Sequence, residues 1–183
     1  PKGEIYDRTA GYFKKNGYRI QTLNLVKPEY SDAYNPLLHI RNEIDVDIIA
    51  NTIVKGQSTD AKGSDPFWED MAEILLKSLI YYLLAVRPKE EQSLASCANL
   101  VRAANNGGGE SLLNKLMSEL PASHPARVNY QSIEIASDKT FGSILSTLQS
   151  KLGKFDSKEI QGVTSSNTID FEALGREKTV LYV

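Results

Sequence analysis

The most apolar part of the chain extends from Met71 to Val86, where only Glu73, Lys77 and Ser78 interrupt a series of apolar side chains. The stretch is shorter than the ~20 residues that a helix needs to cross a bilayer, and it carries two ionisable groups near its middle. The pattern therefore predicts a helix that is buried on most of its circumference within a protein. Such a helix requires several other helices packed around it.

The residues on either side of this stretch are typical of helix ends. Asp65 can accept a hydrogen bond as an N-cap, and Pro66 suits the first helical position. Arg87 and Pro88 follow the last apolar residue, and proline cannot continue a helix. These signals predict a helix over residues 66–86.

Apolar residues recur at helical spacing in the segments that follow. These residues are Leu94, Cys97, Leu100, Val101 and Ala104; Leu112, Leu113, Leu116, Met117 and Leu120; Val128, Tyr130 and Ile133; and Phe141, Ile144, Leu145, Leu148 and Leu152. A short further helix is expected after Asp156. Consecutive helices without an intervening strand are typical of a bundle.

A helix is also predicted before the apolar stretch, over residues 42–54. The residues expected on its buried side are Ile44, Ile48, Ile49 and Ile53 or Val54. Residues 55–65 are rich in Gly, Ser and Asp, which predicts a polar linker between the two helices.

The two ends of the chain carry strand signals. A helix near the N-terminus is expected to stop at Gly17, and the β-rich residues 18–26 follow it directly. The residues expected on one face of that helix are Ile5, Thr9, Tyr12 and Phe13. Residues 179–183, TVLYV, predict a second strand. A helix followed at once by a strand is half of an α/β unit, and its strand needs a parallel neighbour.

The chain is therefore predicted to be mainly α, with a helical bundle inserted into an α/β domain of which only a part is present. The predicted boundaries are 1–58 for the first α/β segment, 59–165 for the inserted all-α domain and 166–183 for the return to the α/β segment. The chain starts with Pro1 and ends within an apolar run, and we expect it to be a piece of a longer protein.

Composition adds few constraints on function. The chain has 183 residues, 41% hydrophobic and 24% charged, as in an ordinary globular protein, and a net charge of −2 gives no global attraction for nucleic acid. The one cysteine, Cys97, cannot form an internal disulfide and lies on the apolar side of a predicted helix. We interpret it as a small core residue in a reducing compartment.

The sequence contains no recognisable catalytic motif. A phosphate-binding loop of the form G-x-x-x-x-G-K-[ST] is absent, and the triple glycine at 107–109 has neither a preceding strand nor a following lysine. The two histidines, His39 and His124, have no Cys, His or carboxylate partner at metal-ligand spacing, so a zinc site is not expected. We therefore predict a binding role for this chain, with neither a metal nor a cofactor of its own.

Nucleic acid and protein are alternative binding partners for a chain of this composition. Residues 60–159 carry 11 Lys and Arg against 13 Asp and Glu, a balance that favours protein recognition over non-specific DNA binding. A local basic patch is the alternative, because lysines recur three to four residues apart between 151 and 158. The residues that would contact DNA phosphates or a partner are Arg102, Asn105, Asn106, Lys151, Lys154 and Lys158. A third alternative is a stand-alone helical scaffold.

Four stretches, in this order, resemble the TraG/TraD family of type IV secretion coupling proteins, in particular the branch found on Gram-positive conjugative elements. They are residues 1–26 (PKGEIYDRTAGYFKKNGYRIQTLNLV), 34–40 (YNPLLHI), 65–84 (DPFWEDMAEILLKSLIYYLL) and 167–183 (NTIDFEALGREKTVLYV). Between about residues 90 and 165 the resemblance lies mainly in helical character. Four ordered motifs that reach both ends of the chain make the resemblance specific.

This resemblance implies a hexameric, membrane-anchored motor with a RecA-like ATPase domain that uses ATP and Mg, at the cytoplasmic face of the bacterial cell membrane. An all-α domain is inserted into the ATPase domain and is associated with recognising cargo, chiefly the relaxase–DNA complex and accessory transfer proteins. The chain itself is expected to be soluble, monomeric and inactive as an ATPase, because the family's phosphate-binding and metal-binding segments lie outside it.

The resemblance also suggests a role for the first residues. Lys2 and Glu4 match a motif that follows a nucleotide-binding strand in the family, so they are expected close to nucleotide in the whole protein. The alternative is that residues 1–4, PKGE, only turn a strand into a helix.

Overall fold

Two short strands from opposite ends of the chain pair with each other in the computed structural model, which describes residues 3–56, 66–105 and 112–183. Strand β1, Arg19–Thr22, lies parallel to β2, Thr179–Tyr182, with Arg19 opposite Thr179 and Thr22 opposite Tyr182. The parallel neighbour that the first strand needs is thus supplied by the last residues of the chain. All other described elements lie between or before these two strands in sequence.

Strand β1 is shorter than the sequence predicted. The prediction extended to Val26, but the strand ends at Thr22. The side chain of Asn24 accepts hydrogen bonds from the backbone N–H groups of Val26 (3.1 Å) and Lys27 (2.9 Å), which curls the chain into a turn. The β-branched and apolar residues after Thr22 therefore cannot continue the strand.

Helix α1, Glu4–Lys15, is terminated as predicted by Gly17, which follows its C-cap residue and has a φ of 80°. The N–H of Tyr18 donates to the carbonyl of Phe13 (3.0 Å) and that of Gly17 to Lys14 (3.1 Å), which is the hydrogen-bond pattern of a Schellman motif. The rings of Phe13 and Tyr18 pack edge to face with their centroids 5.1 Å apart, which is the hydrophobic contact that accompanies this motif. This C-cap leads the chain directly into β1.

The described residues form two compact units. The sheet unit comprises the residues up to Asn35 and Ser157–Val183, and the helical unit comprises Pro36–Asp156. Besides α1, the sheet unit contains the short helices α8 (Lys158–Thr164) and α9 (Ala173–Arg176). The helical unit contains α2 (Glu43–Lys55), α3 (Pro66–Val86), α4 (Leu94–Asn105), α5 (Leu112–Ser118), α6 (Pro125–Glu134) and α7 (Asp138–Leu152). The predicted boundaries at 58/59 and 165/166 stay predictions about the domains of the whole protein.

Helix α3 is the central element of the helical unit. It begins at Pro66 and ends at Val86, and it packs against α2, α4, α6 and α7. Leu75, Leu76 and Leu79 have no exposed surface. Among the described residues, none of the helices is long and apolar enough to cross a membrane. The apolar stretch is therefore the core of this unit, as its pattern predicted.

Hydrogen bonds of a few polar side chains connect the helices within the core. Ser78 is fully buried, and its Oγ donates a hydrogen bond to the carbonyl of Ala126 on α6 (2.7 Å), so α3 and α6 approach closely. The hydroxyl of Tyr130 donates to Oδ1 of Asn114 (2.6 Å), which connects α6 with α5. These hydrogen bonds satisfy polar atoms that would otherwise be costly to bury.

The buried side of α2 was predicted correctly for Ile49, Ile53 and Val54 but wrongly for Ile44 and Ile48. The fully buried residues are Val46, Ala50 and Val54, whereas Ile44 is 66% and Ile48 58% exposed. Residues four and seven apart share one side of a helix, so Ile44 and Ile48 lie on the side that also carries Asn51 and Lys55. Burying the two isoleucines would have drawn this amide and ammonium group into the core as well. Ile49 and Ile53, as predicted, pack against the core.

Candidate functional site

A charged cluster joins α2 to α3. Glu73, only 9% exposed, lies between two lysines, with carboxylate oxygens 3.0 Å from Nζ of Lys55 and 3.4 Å from Nζ of Lys77. It also accepts a hydrogen bond from Nδ2 of Asn51 (3.2 Å). A carboxylate in this position requires such partners, because an unpaired buried charge is strongly destabilising.

Each lysine of the cluster has a second carboxylate partner. Nζ of Lys55 lies 2.8 Å from Asp70, and Nζ of Lys77 lies 2.9 Å from Asp47. Hydrogen bonds to Asp70 and then Glu73 raise the pKa of Lys55. Burial by itself would lower the pKa of Lys77, but the interactions with Asp47 and Glu73 outweigh it and the pKa is raised. The cluster therefore holds both lysines charged and fixes α2 against α3.

This cluster predicts a pH-dependent contribution to stability. The pKa of Lys55 in the folded chain is above its ordinary value of 10.5, so the folded state holds the proton more tightly than the unfolded state. The stabilisation is fully present below pH 10.5 and is lost as the pH rises through the folded-state pKa. We expect the difference in unfolding free energy between the parent and Lys55→Met, measured with urea, to shrink as the pH rises above 10.5. A difference that stays constant up to pH 11.5 (about one unit higher) would contradict the assignment.

Two of the predicted DNA-contacting cations are engaged with carboxylates of the chain itself. Arg102 on α4 forms an ion pair with Asp156. Lys151 on α7 forms one with Glu69 on α3 at 2.7 Å, and its side chain is only 17% exposed. A phosphate or a partner that bound these groups would have to compete with these carboxylates, and the role of Arg102 and Lys151 in binding remains a prediction.

The other predicted contact residues belong to different units or lie outside the described residues. Lys154 is exposed in the helical unit, whereas Lys158 is exposed in the sheet unit. Lys2, Asn106 and the side chain of Asn105 lie outside the described residues. The role of all these positions in binding DNA or a partner remains a prediction.

The first residues of the described chain form a turn into α1. Gly3 precedes the helix with a φ of 85°, a left-handed conformation that glycine adopts at little cost. Glu4 follows in the exposed first turn, where its carboxylate suits the positive end of the helix dipole. This geometry accounts for residues 3–4 as a structural turn, and their proximity to nucleotide remains a prediction.

An open groove of about 440 Å³ lies between the first turn of α3 and α7. Its lining residues are Trp68, Lys139, Gly142, Ser143, Ser146 and Thr147. A Cβ atom built on Gly142 meets nothing within 4 Å, so the glycine leaves the groove open without being required by packing. The indole of Trp68 provides one apolar wall and Lys139 one cation, which suits a side chain of a partner better than a small charged substrate.

Cys97 and His124 occupy structural positions. Cys97 is fully buried, and burial raises the pKa of its thiol to about 12, so it is a core residue as predicted. The imidazole of His124 caps α6 by accepting a hydrogen bond from the N–H of Ala126 (3.2 Å). Within the described ranges, no three His, Cys, Asp or Glu side chains are grouped as a metal site would require.

Over its whole length, residues 1–183, the chain matches the family model described as type IV secretory system conjugative DNA transfer. The chain belongs to this family. No curated protein matches it. Membership identifies the chain as coupling-protein sequence of the TraG/TraD type, which functions with a relaxase in conjugative DNA transfer.

Two features of this coupling-protein chain were missed from the sequence. The charged cluster around Glu73 was treated as an interruption of an apolar run, and the exposure of Ile44 and Ile48 was not foreseen. The sequence contains a signal for both features, because the polar residues Asn51 and Lys55 share a side of α2 with the two isoleucines. A helix side that combines these four residues is unsuited to a core.

Proposed function

We propose that the helical unit recognises the protein cargo of a conjugative coupling ATPase, chiefly the relaxase that is attached to the transferred DNA. The observation that carries this proposal is the self-pairing of two of the cations that were predicted to contact DNA, Arg102 with Asp156 and Lys151 with Glu69. Residues 36–156 also carry 12 Lys and Arg against 15 Asp and Glu, a net charge of −3. An acidic helical surface suits a protein partner with basic patches and repels a phosphate backbone.

The sheet unit is proposed to belong to the RecA-like motor domain of the same protein. Its two strands pair in parallel although 156 residues separate Thr22 from Thr179, which is the connectivity expected if a helical domain interrupts an α/β domain. In this proposal the motor domain binds ATP and Mg, forms a hexamer and works at the cytoplasmic face of the membrane. The 183-residue chain, which has no phosphate-binding Gly-Lys loop, is expected to release no phosphate from ATP.

The proposal is tested by exchanging the helical unit in a full-length coupling protein. Residues 36–156 would be replaced by the corresponding unit of a coupling protein from a second conjugative element, with the motor kept unchanged. We expect mobilisation in mating assays to follow the origin of the helical unit, so that the relaxase of the second element is now transferred. If mobilisation follows the origin of the motor while ATPase activity is retained, cargo recognition does not reside in this unit.

Direct DNA binding by the helical unit is the alternative function. Lys139 and Lys154 are exposed in this unit and would be available to phosphates. Trp68 is the only tryptophan of the chain and lines the groove beside Lys139, so its fluorescence reports on that groove. Quenching by single-stranded DNA at moderate salt that disappears in Lys139→Ala would favour this alternative.

A further inference from the structure

Helix α2 presents two isoleucines to solvent, one turn apart. Ile44 is 66% exposed and Ile48 is 58% exposed. We name these two residues the α2 ridge. The other large apolar side chains that are at least 40% exposed in the described part of the helical unit are Phe67, Val86, Val128 and Ile135, and no two of these lie four apart on one helix. Two neighbouring apolar side chains at i and i+4 are the spacing with which helices bind partners.

The fold itself gives no reason for isoleucine at these two positions. The N-terminus of α2 is fixed by a capping box, in which Asn42 and Asp45 each accept a hydrogen bond from the other's backbone N–H. The opposite side of the helix is held by the core residues Val46, Ala50 and Val54. β-branched residues are mediocre helix formers, so two of them in solvent add neither propensity nor packing.

Acidic side chains flank the α2 ridge. Glu43 and Asp47, each adjacent to an isoleucine of the ridge, are both exposed. On the neighbouring helix α3, Tyr81 and Lys77 face this region; Lys77 pairs with Asp47. Burial raises the pKa of Tyr81, and the charges of Glu43 and Asp47 raise it further whereas Lys77 lowers it, so both carboxylates lie close enough to act on α3. Asp47 is paired with Lys77, and Lys55, on the same side of α2, is paired with Asp70 and Glu73, so Glu43 supplies the attraction for a cationic group beside the ridge.

We propose that the α2 ridge docks an amphipathic segment of the cargo protein in which apolar side chains are flanked by Lys or Arg. Two isoleucines supply the apolar contact, and Glu43 and the net charge of −3 of residues 36–156 supply charge complementarity. This inference rests on the proposed function and assigns it a surface. A basic apolar segment fits this surface, whereas a DNA backbone does not, because its phosphates would meet Glu43 and two apolar side chains.

The test is the affinity of the 183-residue chain for the purified relaxase of its own conjugative element, measured by isothermal titration calorimetry. We expect Ile44→Lys with Ile48→Lys to weaken binding about 30-fold, since hot-spot truncations have effects of this size. Ile44→Ser with Ile48→Ser is expected to weaken it about tenfold without adding charge. Glu43→Lys is expected to weaken it several-fold, and more so at low salt.

The matched control is Val128→Lys with Ile135→Lys on and after α6, which adds the same two charges at apolar positions that are already 49% and 86% exposed. This control is expected to bind like the parent, and all variants are expected to keep the parent's thermal midpoint. Equal binding by the ridge variants and the parent would overturn the docking surface and leave the cargo proposal standing. No binding by the parent would overturn both. Concentration-dependent dimers that the ridge variants abolish would assign the ridge to a second copy and overturn the proposal.

Discussion

Leu79→Lys is expected to unfold the helical unit. Leu79 has no exposed surface and lies in the middle of α3, the helix against which most of the unit packs. An unpaired ammonium group in such a position costs several kcal/mol, which is comparable with the whole stability of a domain, about 5–15 kcal/mol. Helical circular dichroism at 25 °C is expected to fall well below that of the parent, or the thermal midpoint to drop by more than about 10 °C. Leu75→Lys is expected to behave in the same way.

Val86→Lys is the control for this prediction. Val86 belongs to the same helix but is 49% exposed, so the same charge there remains in water and the thermal midpoint is expected to change by little. A Leu79→Lys variant that melts like Val86→Lys would show that α3 is not the core of the unit, and the interpretation of the apolar stretch would then fail.

Reversing the charge of Glu73 is expected to have the second-largest effect on stability. Glu73→Lys would place a third ammonium group between Lys55 and Lys77, at a site only 9% exposed. Removing one partner of a buried ion pair costs about 3–5 kcal/mol, and the added repulsion acts in the same direction. The measurement is the free energy of unfolding from urea titration. The lost stability is expected to come first from weaker packing of α2 on α3.

A charge exchange tests whether the cluster itself causes this effect. In Glu73→Lys with Lys77→Glu, opposite charges are again adjacent on α3, so part of the lost stability should return. Glu73→Gln keeps the shape and the contact with Asn51 and should cost less than Glu73→Lys. If the exchange restores nothing and Glu73→Gln costs as much as Glu73→Lys, the contacts of Glu73 with the two lysines do not stabilise the fold.

The elements that the sequence predicted best are those with strong local signals. Helix α3 was predicted from its apolar run and its flanking prolines, and α1 from its pattern and Gly17, because capping and periodicity act over a few residues. The two strands were located as well, since β-rich residues occur at both ends of the chain. The family resemblance, which the match over residues 1–183 confirms, rests on motifs in these same segments.

The features that the sequence did not predict depend on contacts between distant residues. Lys151 and Glu69 are 82 residues apart, and Arg102 and Asp156 are 54 apart, so no local pattern indicates that these charges are paired. The buried side of α2 likewise depends on how Asn51 and Lys55 meet Glu73 on another helix. Counting charges along the chain therefore gave the overall acidity correctly but could not tell which cations are available to a partner.

Cargo recognition by the helical unit is tested most directly by comparing relaxase binding with DNA binding at two salt concentrations. The chain would be titrated with the purified relaxase and, separately, with single-stranded DNA from the transfer origin, at about 50 and 200 mM salt. A surface that bound DNA through 6–10 phosphates would lose about 10³–10⁵ in affinity over this range. We predict that the relaxase binds at both concentrations with less than about a tenfold difference, and that DNA binds weakly at both. Tight DNA binding that falls steeply with salt, together with no relaxase binding, would contradict the account.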